Sequence, residues 1–205
     1  MHSTAAIREA AVTVPSAVPA ARRAAAIFAA CLLGLVGAIA LVAVPVAWPL
    51  VFGAILIAHL RHTVLMGGQH RWWHTTHCLM ALSMAYMYVP GNMDVIGIAT
   101  IWQLVFAAAA ALVLAWIVVA FARHGAVNVL WVFAFVDLVA MVYMWSMSSF
   151  VAPITWILVA YFVAQAVVWA ANRHKDQPLV GAMNLRWSMG LMSVGMAYMF
   201  AIMQL

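Results

Sequence analysis

The residues with the most specific chemistry are methionines, in a phrase that occurs as Leu79-Met80-Ala81-Leu82-Ser83-Met84-Ala85-Tyr86-Met87 and again as Leu191-Met192-Ser193-Val194-Gly195-Met196-Ala197-Tyr198-Met199. A fainter third copy runs Asp137-Leu138-Val139-Ala140-Met141-Val142-Tyr143-Met144. On a helix advancing about 100° per residue, Met80, Met84 and Met87 fall within roughly 60° of one another, and their counterparts do the same. Three helices would each carry a stripe of thioethers, soft neutral ligands that favour Cu(I). Fifteen Met among 205 residues also suit a plainer use, because Met is an adaptable gap-filler between packed helices. Register bears on the choice: filler has no reason to recur at the same offsets, although shared ancestry of the repeats could preserve them.

Asp137 is the second pointer. A carboxylate about ten residues into an apolar span costs roughly 2.5–3.5 kcal/mol on the insertion scale and faces a bundle interior or a wet cavity. It sits on the Met stripe of its own helix, where it could be a cation ligand, a proton acceptor or the counter-charge for Cu(I). The structural alternative is a protonated acid bonded to Ser, Thr or Tyr and serving helix association.

The histidines form the third group. His59 and His62 are three apart, and His70, His74 and His77 are spaced four and three, which stacks them on one face if their helix starts early. His77 continues into Met80, Met84 and Met87, a path of about 15 Å from imidazole to the last thioether at 1.5 Å per residue. Interfacial placement is the competing reading, since His, Trp72 and Trp73 each have one polar edge; it is the expectation for His70, His124 and His174. Gly-rich phosphate loops, Cys-x-x-Cys motifs, a haem-attachment Cys-x-x-Cys-His, a Gly-x-Ser-x-Gly elbow and paired carboxylates are all absent from the sequence, so hydrolytic and phosphoryl chemistry find no support.

The elements that must position these residues are membrane helices. With 69% hydrophobic and 6% charged residues, the chain is far from a water-soluble globule, whose charged fraction is about a quarter. Apolar runs predict about seven spans, near residues 24–44, 49–66, 74–89, 98–121, 127–148, 152–171 and 187–205. Lys and Arg are retained on the cytoplasmic side. Arg8, Arg22 and Arg23 precede the first run, and Arg61, Arg71, Arg123, Arg173, Lys175 and Arg186 fall on alternate connections. The opposite connections, Pro45 to Pro49, Pro90 to Gly97 and Ser148 to Ala152, carry no Lys or Arg. The expected topology is N-in and C-out, with the Met phrases on spans 3, 5 and 7, all parallel. The net charge of +5 is then topological bias, and no stripe of interleaved basic and aromatic residues suggests nucleic acid. Residues 1–23 read as a disordered or interfacial cytoplasmic tail, 24–205 as the bundle, and Cys31 and Cys78 as buried free thiols. The run after Arg22-Arg23 exceeds the 7–15 residues usual for a signal-peptide core, so a retained span is expected.

At the Met-x-x-x-Met level, Met80/Met84 and Met192/Met196 are similar to the Met pair in the second helix of Ctr-type copper transporters, trimers with stacked thioether rings. That resemblance implies three such helices in one polypeptide. It departs from that family in lacking a Met-rich extracellular tail and a His-Cys-His ending, and Asp137 replaces Met in one copy, so it reads as convergence. As a whole, the Ala/Val-rich chain with its His77-x-x-Met80-x-x-x-Met84-x-x-Met87 helix resembles an uncharacterised actinobacterial family of multi-span proteins, a domain of unknown function, which brings no activity with it.

The resulting expectation is an all-α polytopic bundle of the bacterial inner membrane that binds Cu(I) through Met84, Met141 and Met196, with Met80 and Met192 beside Asp137 one turn inward. Met87, Met144 and Met199 extend the stripes, and His74 and His77 stand at the mouth. Transport, storage and delivery of the ion all fit, with the lipid bilayer and metal-handling or respiratory-chain proteins as partners, no nucleic acid and no enzymatic step. The chief rival is a b-type haem protein using two of His59, His62, His74 and His77 as axial ligands. A third reading is an accessory membrane subunit whose Met stripes only pack.

Overall fold

The computed structural model describes residues 47–89, 91–92, 95–146, 151–171 and 183–204. They hold six helices: α1 Ala47–Leu65, α2 Gly68–Met87, α3 Ile98–His124, α4 Val129–Met144, α5 Ala152–Ala170 and α6 Met183–Ile202. The tail 1–23, the expected first span at 24–44 and Cys31 lie outside the described residues.

Local chemistry explains several ends. Asn128 opens α4 by accepting the Leu130 N–H on its side-chain oxygen at 2.9 Å, which satisfies one of the donors a helix start leaves orphaned. Gly125 closes α3 in the left-handed region (φ 66°) while its N–H bonds Phe121 O, a conformation that a Cβ disfavours. One helix bound differs from the sequence reading. The helix expected from about residue 74 begins at Gly68, and this carries His70, His74 and His77 on one helix.

Seven spans are not shown. Three helices, α1, α3 and α5, are long and apolar enough to cross a membrane, and α4 is a shorter apolar helix; multi-pass membrane character rests on these. The reason α2 and α6 fall short is compositional. The first carries Gln, His, Arg, Thr and Ser and the second Asn, Arg and Ser, which a helix can hold when its neighbours, not lipid, surround it. The outer helices show the opposite face: Leu50, Ile57, Val64, Leu104, Leu112, Phe121 and Ile157 are all exposed, a liability in water and the natural surface toward lipid acyl chains.

The six helices form three consecutive hairpins, since α1 packs most extensively on α2, α3 on α4 and α5 on α6. Ring contacts give their directions. Trp48, near the start of α1, stacks on Tyr88 and Tyr198 at the far ends of α2 and α6, at 5.3 and 5.5 Å. His59, near the end of α1, meets His74 and His77 early in α2 and Ser188 early in α6. Hence α2 and α6 run parallel to each other and antiparallel to α1. Trp73 gives its indole N–H to Leu130 O at 3.3 Å at one end, and Trp145 gives its own to Ser83 at the other, so α4 joins the same direction.

These contacts repeat cyclically. Tyr88, Trp145 and Phe200 each follow the last Met of their phrase, while Tyr86, Tyr143 and Tyr198 each precede it. In the first hairpin, Trp48 stacks on its own Tyr88 and on Tyr198 of α6. In the second, Trp102 stacks on its own Trp145 at 5.8 Å and meets Tyr86 of α2 at 6.3 Å. In the third, Phe162 stacks on its own Phe200 at 5.9 Å, which lies 6.0 Å from Tyr143 of α4. The first hairpin thus leans on the third, the second on the first and the third on the second, a quasi-threefold ring with α2, α4 and α6 inside.

Candidate metal centre

The inner helices bury the same register of each phrase. Met84, Met141 and Met196 are buried, as are Met80, Asp137 and Met192 one turn earlier and Met87, Met144 and Met199 one turn later. All eight expected methionines therefore face the interior of the bundle, although Leu82 and Val139, two positions after Met80 and Asp137, are exposed. The position just before the central Met is small in each copy, Ser83, Ala140 and Gly195, and buried in each. Small residues there let neighbouring rings approach: a Cβ on Gly195 would come within 2.5 Å of Phe52 and 2.9 Å of Trp48.

His74 and His77 are also buried, with a partner the Met-based reading did not include. His59 of α1 is 0% exposed, and its Nδ1 lies 3.1 Å from Nδ1 of His74, likewise 0% exposed. Its ring stacks on His77 at 5.3 Å, and its Nε2 lies 3.3 Å from Ser188 Oγ of α6. The His77 Nδ1 bonds Trp73 O at 2.7 Å, and that of the half-buried His62 bonds Ala58 O at 2.8 Å. A backbone carbonyl can only accept, so both rings carry the proton on Nδ1 and keep Nε2 as the acceptor or ligating atom. His74 Nε2 is buried without a hydrogen-bond partner.

Asp137, 3% exposed, belongs to a different network. Tyr161 donates its hydroxyl to Oδ1 at 2.9 Å, and Gln165 donates Nε2 to Oδ2 at 3.1 Å and to Oδ1 at 3.3 Å. The other end of Gln165, Oε1, accepts from Ser193 Oγ at 2.7 Å. The chain Asp137, Gln165, Ser193 ties α4 to α5 and α5 to α6, the kind of tie the structural alternative required, with Gln and Tyr as donors.

The expected set thus divides. The structure joins His74 and His77 to α1 and Asp137 to α5, and it does not bring these three together. Among the described residues no group of three or more His, Cys, Asp and Glu side chains could hold a metal ion. Cys78 is a free, half-buried thiol within 3.7 Å of Thr63 Oγ1. The Met-based reading leaves out His59, which the sequence offers only as one of four candidate haem ligands, and nothing in the sequence reading singles out Tyr161, Gln165, Ser193 or the buried Met189. The signal for His59 was present in a short connection, since Leu65 and Gly68 bound a hairpin that folds His59 back beside His74. Tyr161 and Gln165 are four apart, hence on one helix face, but an apolar helix around them gave no sign of which face was inside.

No curated protein and no solved structure matches the chain. The model of one family, described as a domain of unknown function, DUF5134, matches residues 69–203, the stretch from the start of α2 to the end of α6. This chain, with its three parallel Met-striped helices, belongs to the DUF5134 family.

Proposed function

We propose that the bundle binds a soft metal ion, Cu(I), through the methionines of α2, α4 and α6, for transport, storage or delivery and without an enzymatic step. The observation that carries this reading is the coincidence of burial and register: Met84, Met141 and Met196 are buried on three parallel helices whose contacts repeat cyclically. Equivalent residues in such a ring stand at equal depth, which is the geometry a thioether ring needs. Met80 and Met192 beside Asp137, and Met87, Met144 and Met199 on the other side, would extend the path by a turn in each direction. Thioethers are neutral, so a monovalent soft ion suits them better than a hard divalent one.

The basic residues support the orientation. Arg61, Arg71, Arg123 and Arg186 flank the α1–α2, α3–α4 and α5–α6 connections, which the alternating directions bring to one end; we read that end as the cytoplasmic side of a bacterial inner membrane. Metal-handling or respiratory-chain proteins are the partners this reading calls for. The haem reading has less support, because His59 and His74 are in direct nitrogen-to-nitrogen contact and leave no room for a macrocycle between them. A reduced-minus-oxidised visible spectrum separates the two, since Cu(I) is colourless.

The test of the thioether site is the triple variant Met84→Leu/Met141→Leu/Met196→Leu. Leu is close to Met in volume and apolarity, and such swaps cost less than about 1.5 kcal/mol each, so the bundle is expected to fold while Cu(I) binding is lost. Unchanged copper stoichiometry and affinity would leave these methionines as packing alone, the accessory-subunit reading.

A further inference from the structure

We infer that the hydrogen-bonded group Asp137, Tyr161, Gln165 and Ser193 is a key that fixes the order in which three similar hairpins close into one ring. The inference is independent of the Cu(I) reading and is tested without any metal.

The hairpins repeat on their outer helices as well as on their inner ones. Trp48-Pro49-Leu50-Val51-Phe52 of α1 returns as Trp102-Gln103-Leu104-Val105-Phe106 of α3, and Phe162 takes the place of Phe52 and Phe106 on α5. All three Phe are wholly buried. Phe52 stacks on Tyr88 at 5.7 Å as Phe162 stacks on Phe200 at 5.9 Å, in each case the ring after the last Met of the same hairpin. In this register Val51, Val105 and Tyr161 correspond, as do Ile55, Ala109 and Gln165. On the inner helices Met80, Asp137 and Met192 correspond, as do Ala81, Leu138 and Ser193.

Four positions have thus departed from the repeat, and they are the four that bond to one another. Tyr161 and Gln165 reach Asp137 from α5, and Ser193 of α6 donates to Gln165 Oε1 at 2.7 Å. At the corresponding places the first hairpin presents Val51 and Ile55 and the second Val105 and Ala109, which the cyclic contacts set toward Met192 and Met80. Two of the three interfaces therefore close with apolar side chains where the third has a polar network. Packing of apolar and small side chains is enough to join membrane helices, so cohesion alone does not account for the network.

What apolar contacts lack is discrimination. The hairpins offer one another similar rings, small residues and methionines at the same depths. The connections 88–97 and 145–151, at about 3.3 Å per extended residue, can reach across the ring. If every outer helix leans to the same hand, the ring can close in two orders. In the observed order the third hairpin leans on the second; in the reversed order the first would lean on the second and the third on the first. Reversal would set Asp137 against Val51 and Ile55, and Tyr161 and Gln165 against Met80, leaving a buried carboxyl and its donors unpaired. That is far costlier than a mismatched apolar contact. Asp137 is the only acidic side chain among the described residues, so Tyr161 and Gln165 find no substitute for it there. The other interfaces carry smaller polar contacts, His59 with Ser188 and Trp145 with Ser83. Fixing register and partner choice is the best-attested use of a buried polar group between helices.

The experiment gives the third interface the residue types of the other two, Asp137→Met, Tyr161→Val, Gln165→Ile and Ser193→Ala together, in the full chain purified in detergent without added metal. Gln165→Ile alone is the companion. Thermal unfolding reads stability, and cross-linking of cysteine pairs by a short bismaleimide reads order, in a Cys31→Ala/Cys78→Ala background. The pair Tyr86→Cys/Trp102→Cys reports the observed neighbours, and Tyr198→Cys/Trp102→Cys reports the reversed ones. With the network intact only the first pair is expected to link. Gln165→Ile alone is expected to lower the Tm, because Asp137 loses a donor. The fourfold variant is expected to regain the wild-type Tm and to link through both pairs. Linking through the first pair alone in the fourfold variant overturns the key, because order is then fixed without it. A fourfold variant that does not fold overturns it as well, since the network would then be needed for cohesion itself. Neither result touches the Cu(I) reading, whose failure would leave this one standing.

Discussion

Trp145 donates its indole N–H to Ser83 Oγ at 2.8 Å, both residues buried. Trp145 follows the last Met of its phrase on α4, and Ser83 precedes the central Met of the phrase on α2. The same two positions meet again between α2 and α6, where Tyr88 donates its hydroxyl to Gly195 O at 3.2 Å. One contact rule thus serves two successive interfaces with different donors, an indole in one and a phenol in the other. It links the residue type at the small position to the ring that leans on it: a hydroxyl where an indole N–H needs an acceptor, no side chain where a backbone carbonyl must be reached.

Ser83→Ala should therefore destabilise the bundle although it removes only one oxygen. The indole N–H of Trp145 would be left buried and unpaired, at a cost of about 1–3 kcal/mol. Thermal unfolding in detergent, followed by Trp fluorescence, should show a lowered Tm for Ser83→Ala, and Ser83→Thr should recover part of it. An unchanged Tm in Ser83→Ala would mean that the indole finds another acceptor.

Gly195 and Gly190 should respond oppositely to Ala. At Gly195 the new methyl would meet Phe52 and Trp48 at 2.5 and 2.9 Å, and overpacking of this kind costs about 1–3 kcal/mol. At Gly190 it would meet only Trp169 Cβ at 4.0 Å, ordinary contact, while replacing Gly inside a helix favours folding by roughly 0.5–1 kcal/mol. Gly190→Ala should raise the Tm and Gly195→Ala lower it; the reverse order would contradict the packing of α1 against α6.

Asp137→Asn tests whether the carboxylate serves the metal or only the helix tie. Tyr161 and Gln165 both donate to it, and Asn can present one accepting oxygen but must aim an NH₂ at the remaining donor. Some loss of stability, about 1–3 kcal/mol, is therefore expected on structural grounds alone. The metal-linked outcome is separate. Protons compete with a cation for the carboxylate, so wild-type Cu(I) affinity should fall as pH falls through its titration, and the Asn variant should lose that dependence. Superimposable Cu(I) competition curves across pH would make Asp137 a tie and nothing more.

Orientation is tested without any metal. A periplasm-active reporter fused after Leu205 should be active and one fused within residues 173–176 inactive, because α6 separates the two points. The opposite pattern would invert the assignment of the basic end.

The sequence by itself determined that the chain is helical and built for lipid, where the repeats lie, and which residues of each phrase share a face. Those properties are local: apolar composition sets the solvent, and a 3.6-residue period sets the face. It also carried the parallel direction of the Met phrases, since one returning crossing lies between each successive pair. What the tertiary structure alone decided is who meets whom. That His59 reaches His74 depends on how tightly α1 turns into α2, and that Asp137 bonds Gln165 depends on which face α5 turns inward. Nothing in the periodicity of α5, apolar nearly all round, marks that face. The cyclic contact of Trp48, Trp102 and Phe200 with neighbouring hairpins likewise comes from packing across non-adjacent segments, where partners are chosen by shape among rings that look alike in sequence.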